Sequence, residues 1–236
     1  MKYFIITILI VLLFLYLFWI KLKKGKPGRI SGEEVESKTY EEALVVDVRW
    51  RKEYERGHAV NAINLPIKLF KNDSKILDSY KDKEIILYCV VDVTSRNTEK
   101  LLRERGFTNI SIGDGVKQYN YSNYNFKNVL MAEMKYLRTI LPATLLNVSG
   151  EELDKNELKL ENELSELEQF FDKEKTIFVY GDNFDKSLNV SKELAEKGYS
   201  VIHLVEPMIV NKYTFTGYNK KDFIENNDEL PTLECG

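Results

Sequence analysis

Ile85-Ile-Leu-Tyr-Cys-Val-Val-Asp-Val-Thr-Ser-Arg-Asn-Thr-Glu-Lys-Leu-Leu-Arg-Glu-Arg-Gly-Phe107 joins an apolar run to an amphipathic one. Its first part, together with Glu84, is short, β-branched and apolar on both faces, the pattern of a strand buried on each side of a sheet. The second part is helical: Thr94 or Ser95 is the predicted N-cap, Leu101 and Leu102 lie on an apolar stripe, and Gly106 fits the left-handed residue just past the end. A helix of about three turns matches a crossover between parallel strands. Asn109-Ile-Ser-Ile112 supplies the next strand and Ala43-Leu-Val-Val-Asp-Val48 an earlier one, so the chain reads as α/β layers around a parallel sheet. Cys89 falls where the strand empties into the helix. Free cysteine is a common small core residue. A strand-to-helix turn can also gather amide N–H groups into an anion nest at the positive end of a helix, which favours a nucleophilic sulfur.

The 236 residues are 44% hydrophobic and 30% charged, an ordinary globular composition, and a net charge of -3 with interspersed basic residues argues against a nucleic-acid partner. Two cysteines, Cys89 and Cys235, and two histidines, His58 and His203, form neither a disulfide framework nor a zinc set, so no metal and no cofactor is expected. The start differs: eighteen mostly apolar residues, Tyr3 to Ile20, run straight into a lysine-rich flank ending at Arg29. This predicts a single-pass transmembrane helix, uncleaved because bulky Phe18, Trp19 and Ile20 occupy the place of a signal-peptide cleavage site. Five basic residues on its C-terminal side place the remaining chain in the cytoplasm, with the membrane as a partner and Cys89 kept reduced.

The chain also repeats itself. Leu87-Tyr-Cys, Ser95, Lys100 and Gly106-Phe107 realign on Val179-Tyr-Gly, Ser187, Lys192 and Gly198-Tyr199 at an offset of 92, and Val46-Asp-Val-Arg49 realigns on Leu146-Asn-Val-Ser149 at an offset of 100. The expected organisation is an anchor with its basic flank (1–29), a first unit (30–128), a connecting helix (129–141) ended by Pro142, a second unit (142–218) and a polar tail (219–236). Two open parallel-sheet units with flanking helices follow from it. The stripe Leu153, Leu160, Leu164, Leu167, Phe171 packs on the second sheet, and His203 falls in one of that unit's buried strands.

Val45-Val-Asp-Val-Arg-Trp-Arg-Lys-Glu-Tyr-Glu-Arg-Gly-His-Ala-Val-Asn-Ala-Ile-Asn-Leu-Pro66 resembles the rhodanese-family signature Asp-Val-Arg, Glu-Tyr, Gly-His, Ala-Ile-Asn in order and spacing. Tyr88-Cys89, the loop to Ser95, Gly106-Phe107 and Gly113-Asp-Gly115 extend the resemblance from about Ser31 to Asn128. The repeat extends it, weakly, to a second degenerate copy with Asn147 for Asp47, Ser149 for Arg49 and Gly181 for Cys89. The resemblance implies sulfur transfer: Cys89 as the catalytic persulfide carrier, Val90, Val91, Asp92, Val93, Thr94 and Ser95 as the cradling loop, and Asp47, Arg49 and His58 as supporting residues. Its partners would be a sulfur donor and an acceptor, small molecule or protein, with the second unit a docking surface for a protein.

The loop departs from the family at two positions, Asp92 for Gly and Thr94 for Arg, which adds a carboxylate and removes a cation. Both changes work against an anionic donor such as thiosulfate. The competing reading is a catalytically inactive binding or regulatory module at the membrane. Phosphoryl chemistry is disfavoured, since six residues rather than five separate Cys89 from Arg96, and Gly113-Asp-Gly115 lacks the Lys-Ser/Thr of a phosphate loop.

Overall fold

A computed structural model describes residues 28–206 apart from Asp73 and Leu153. The strands are β1 (Arg29–Ile30), β2 (Ala43–Asp47), β3 (Ile63–Asn64), β4 (Glu84–Tyr88), β5 (Ile110–Gly113), β6 (Lys127–Val129), β7 (Ala143–Asn147), β8 (Leu158–Lys159), β9 (Thr176–Tyr180) and β10 (Val201–Leu204). The α-helices are α1 (Gly32–Ser37), α2 (Arg51–Glu55), α3 (Ile67–Lys71), α4 (Val93–Glu104), α5 (Met131–Ile140) and α6 (Phe184–Glu196).

The ten strands of the described residues belong to one sheet in the order β1-β5-β4-β2-β3-β6-β10-β9-β7-β8, and its pairings are parallel. This corrects the expectation of two separate sheet units. The joint is β6, which pairs with β3 through Asn128 and Ile63 and with β10 through Asn128 and His203. Lys127-Asn-Val129 has no apolar alternation, so nothing in its pattern announces a central strand. Its buried polar side chain is satisfied instead: Asn128 Nδ2 donates to the carbonyls of Val60 and Ala62 at 2.9 and 3.0 Å, and Oδ1 lies 2.7 Å from His203 Nδ1. His203 Nε2 lies 2.8 Å from Ser187 Oγ, which completes the network across the joint.

A second correction concerns the membrane. No helix of the described residues is long and apolar enough to cross a bilayer, against the expected single-pass helix. Tyr3 to Ile20, on which the transmembrane helix was placed, lie outside the described residues, as do the polar tail at 219–236 with Cys235 and the Leu153 position of the apolar stripe. Arg29, read as the end of the basic flank, opens β1.

Either side of β6 the strands follow one order, β5-β4-β2-β3 and β10-β9-β7-β8. Individual hydrogen bonds recur as well. The Val48 amide donates to the Tyr88 carbonyl at 3.1 Å and the Val148 amide to the Tyr180 carbonyl at 2.9 Å. The Arg49 amide donates to Asp47 Oδ1 and the Ser149 amide to Asn147 Oδ1. Gly106 (φ 89°) and Gly198 (φ 77°) end α4 and α6 in the left-handed conformation that a side chain disfavours.

Period-two geometry decides where the cysteine sits. Leu44, Val46, Ile85 and Leu87 pack on the α4 face of the sheet with Leu102 and Phe107, while Ala43, Val45, Ile86 and Tyr88 pack on the opposite face with Val35 and Tyr121. Position 89 keeps the parity of 85 and 87, so its side chain enters the α4-side cluster.

Candidate active site

Cys89 follows the last residue of β4, and α4 begins at Val93, so the turn that separates them is Cys89 to Asp92. The helix starts earlier than Thr94 or Ser95; its N-cap position is Asp92, which makes no side-chain capping bond. The freed Ser95 hydroxyl turns inward. It donates to the Asp92 carbonyl at 3.1 Å and stands 3.7 Å from Cys89 Sγ. Ser95 is fully buried, and Cys89 is 1% exposed among Leu87, Leu102 and their neighbours.

The turn is fixed from outside by the segment after β5. The Val116 amide donates to the Cys89 carbonyl and the Lys117 amide to the Val90 carbonyl, each at 3.0 Å. Gly115 makes this approach feasible, because a Cβ there would stand 2.3 Å from the Val90 oxygen and 2.7 Å from Val91 Cα. Gly113-Asp-Gly115, which is no phosphate loop, is thus the floor against which the cysteine turn rests.

The remaining loop residues divide by exposure. Val90 and Thr94 are buried and Val91 half-buried, while Val93 is 52% exposed on the first turn of α4. The Thr94 carbonyl accepts the Thr98 hydroxyl at 3.0 Å. Asp92 faces two cations: Oδ2 lies 3.4 Å from Arg29 Nη1 and 3.2 Å from Arg96 Nε. Arg96 is thereby turned toward the loop acid and does not replace the missing cation at position 94. Arg29 also binds Asp114 through Nε at 3.0 Å and donates from Nη2 to Gln118 Oε1 at 2.5 Å. The sequence reading missed Arg29, and its signal, a single arginine after a lysine run, belonged to the flank.

Asp47, Arg49 and His58 form a network of their own at the end of β2. The buried Asp47 carboxylate receives Arg49 Nε at 3.0 Å and Nη2 at 2.6 Å, and Nη2 also donates to the Gly57 carbonyl at 2.6 Å. His58 stacks on Tyr54 with ring centroids 3.6 Å apart and places Nδ1 2.8 Å from the Tyr54 carbonyl; burial pushes its imidazole below the usual range. These bonds tie the strand end to the turn at residues 54–59 and leave the thiol to its loop.

The Rhodanese-like domain family model matches residues 32–117, the span that holds this strand-end cysteine, its turn and the Asp-Arg pair. Residues 32–117 belong to the rhodanese-like domain family. Over 83 residues this chain is 32% identical to a tRNA uridine(34) hydroxylase of Erwinia tasmaniensis, a match covering 33% of this chain and 24% of that protein. The corresponding hydroxylase of Cronobacter sakazakii is 30% identical with the same coverage, so the chain spans about a quarter of the length of these curated relatives. Among solved structures, a rhodanese with anions from E. coli is 27% identical, with 34% of this chain and 94% of that one covered and a TM-score of 0.31. A thiosulfate sulfurtransferase from Pseudomonas aeruginosa is 14% identical, with 77% and 41% covered and a TM-score of 0.36.

Proposed function

We propose that the rhodanese-like domain carries sulfane sulfur on Cys89. The observation that supports it most directly is the placement of the thiol at the end of β4, beside the start of α4, with the Ser95 hydroxyl 3.7 Å from Sγ. The Cys89 thiolate attacks the sulfane sulfur of a donor R–S–SH; a new S–S bond forms on Cys89, the donor S–S bond breaks, and the donor leaves as a thiolate. An acceptor nucleophile, cyanide or a thiol, then takes the outer sulfur and returns Cys89 to thiolate. The positive end of α4 begins four residues after Cys89 and suits a sulfur that carries charge during transfer. Thiosulfate is a poor donor in this reading, because the buried Thr94 stands where the family carries an arginine.

We read β7 to β10 with α6 as a degenerate second copy of the same unit, in which Gly181 takes the place of Cys89 and no sulfur carrier remains; the shared strand order and recurring hydrogen bonds support this. Its role is structural or docking. A second reading is favoured by the 1% exposure of Cys89: a closed, catalytically inactive binding module. Thiocyanate formation from cyanide separates the two. The full chain is assayed with glutathione persulfide and with thiosulfate, each against Cys89→Ser. Turnover with the persulfide that exceeds turnover with thiosulfate and disappears in the variant supports the carrier. No Cys89-dependent thiocyanate from either donor leaves the binding module.

A further inference from the structure

The sulfur-carrier reading leaves open which donors the loop admits, and the ion cluster on its outer side bears on that question. Asp92 Oδ2 lies between Arg29 Nη1 and Arg96 Nε at 3.4 and 3.2 Å. The Asp92 and Arg29 side chains are 19% and 16% exposed, so the pair is partly shielded from water, and Arg96 is 37% exposed. Arg29 is further held by Asp114 and Gln118, which leaves the cluster with two guanidiniums and two carboxylates and no net charge. It is mechanically joined to the thiol, since one Ser95 hydroxyl touches both the Asp92 carbonyl and Cys89 Sγ.

Resting on that reading, we propose that Asp92 is the specificity-determining residue of the Cys89 loop. Its carboxylate is a built-in anion that occupies the guanidiniums of Arg29 and Arg96, so the loop selects sulfur donors without a negative group beside the sulfane sulfur. An anionic donor has to displace a carboxylate tethered three residues from the thiol, whose effective concentration at the cations is on the order of millimolar or higher. An uncharged donor meets no such competitor. Arg96 Nη2 is buried without a hydrogen-bond partner, so a donor group is ready for an incoming oxygen once the carboxylate charge is gone. Arg29 lies before residue 32, where the family match begins, so half of this device belongs to this chain and not to the matched domain.

The test uses thiol–disulfide exchange, which reads access to Cys89 without requiring sulfur transfer. In the full chain carrying Cys235→Ser, Cys89 is reacted with the dianionic 5,5′-dithiobis(2-nitrobenzoate) and the uncharged 2,2′-dithiodipyridine. In each case one S–S bond forms as another breaks and an aryl thiolate or thione leaves and is counted by absorbance. Asp92→Asn is expected to raise the ratio of anionic to neutral rates by ~10-fold at low ionic strength, with the gain shrinking in high salt. A ratio unchanged within two-fold, or a thiol that neither reagent reaches in either form, overturns the proposal. If Asp92→Asn fails to fold, Arg29→Gln serves in its place: with the carboxylate kept and one cation removed the ratio falls, and an unchanged ratio overturns the proposal equally. A shifted ratio with no persulfide on Cys89 from any donor would instead count against the carrier reading alone.

Discussion

The Ser95 hydroxyl and the Cys89 sulfur stand 3.7 Å apart inside the closed turn between β4 and α4, and the same hydroxyl donates to the Asp92 carbonyl. A donor that can turn from a carbonyl to a thiolate is available for the charged state of the sulfur without opening the loop. Ser95→Ala removes it. The expected result is a loss of about 1 kcal/mol in urea unfolding, typical of one buried hydrogen bond, together with slower alkylation of Cys89 by iodoacetamide. Unchanged alkylation in a folded variant would remove Ser95 from the chemistry.

Gly115 tests the packing that closes the turn. Its Cβ would meet the Val90 carbonyl at 2.3 Å, a backbone contact that no rotamer change relieves. Gly115→Ala is expected to destabilise the chain by about 1–3 kcal/mol, as overpacking does, and to speed labelling of Cys89 by displacing the turn. Slower labelling would contradict the closed geometry.

The Asp47–Arg49 pair predicts a larger loss. Arg49→Leu leaves a fully buried carboxylate without its guanidinium, which typically costs about 3–5 kcal/mol, measurable as a lower urea midpoint. Arg49→Lys restores charge without the two-nitrogen grip and is expected to recover only part of it.

Stability also carries a pH signature. Burial pushes the His203 imidazole down to about 3, and His58 moves in the same direction for the same reason. Below pH 6.5 the unfolded chain takes up protons that the folded chain refuses, so stability falls as pH falls from about 6.5 toward 3, by up to about 1.4 kcal/mol per pH unit for His203 alone. Urea unfolding between pH 7 and pH 5 measures the slope. His203→Gln is expected to flatten it, and an unchanged slope would contradict a neutral buried imidazole.

The legible parts of the fold are those with local periodicity. Glu84–Tyr88 reads as a strand on its apolar run, α4 on its leucine stripe, and Gly106 on the need for positive φ at a helix end. Two-residue strands such as β1, β3 and β8 are too short to show any period. β6 is central yet polar, because Asn128 satisfies its own burial through Val60, Ala62 and His203, and such pairing across 66 to 75 residues leaves no local trace. That is why one continuous sheet reads, in sequence, as two. At the site Cys89 and its loop were visible on the strand-to-helix pattern and the family resemblance. The Arg29–Asp92 contact, 63 residues apart, was hidden by a lysine-rich neighbourhood that pointed to a membrane.

The central claim is that sulfur resides on Cys89, and intact mass tests it most directly. The full chain, reduced and then exposed to a sulfane donor, is compared with Cys89→Ser, and peptide mapping locates any adduct. The account predicts one added sulfur atom on Cys89 in the wild type, removed by cyanide and missing from that position in the variant. A folded wild-type chain that gains no sulfur at Cys89 from persulfide, polysulfide or thiosulfate would contradict it.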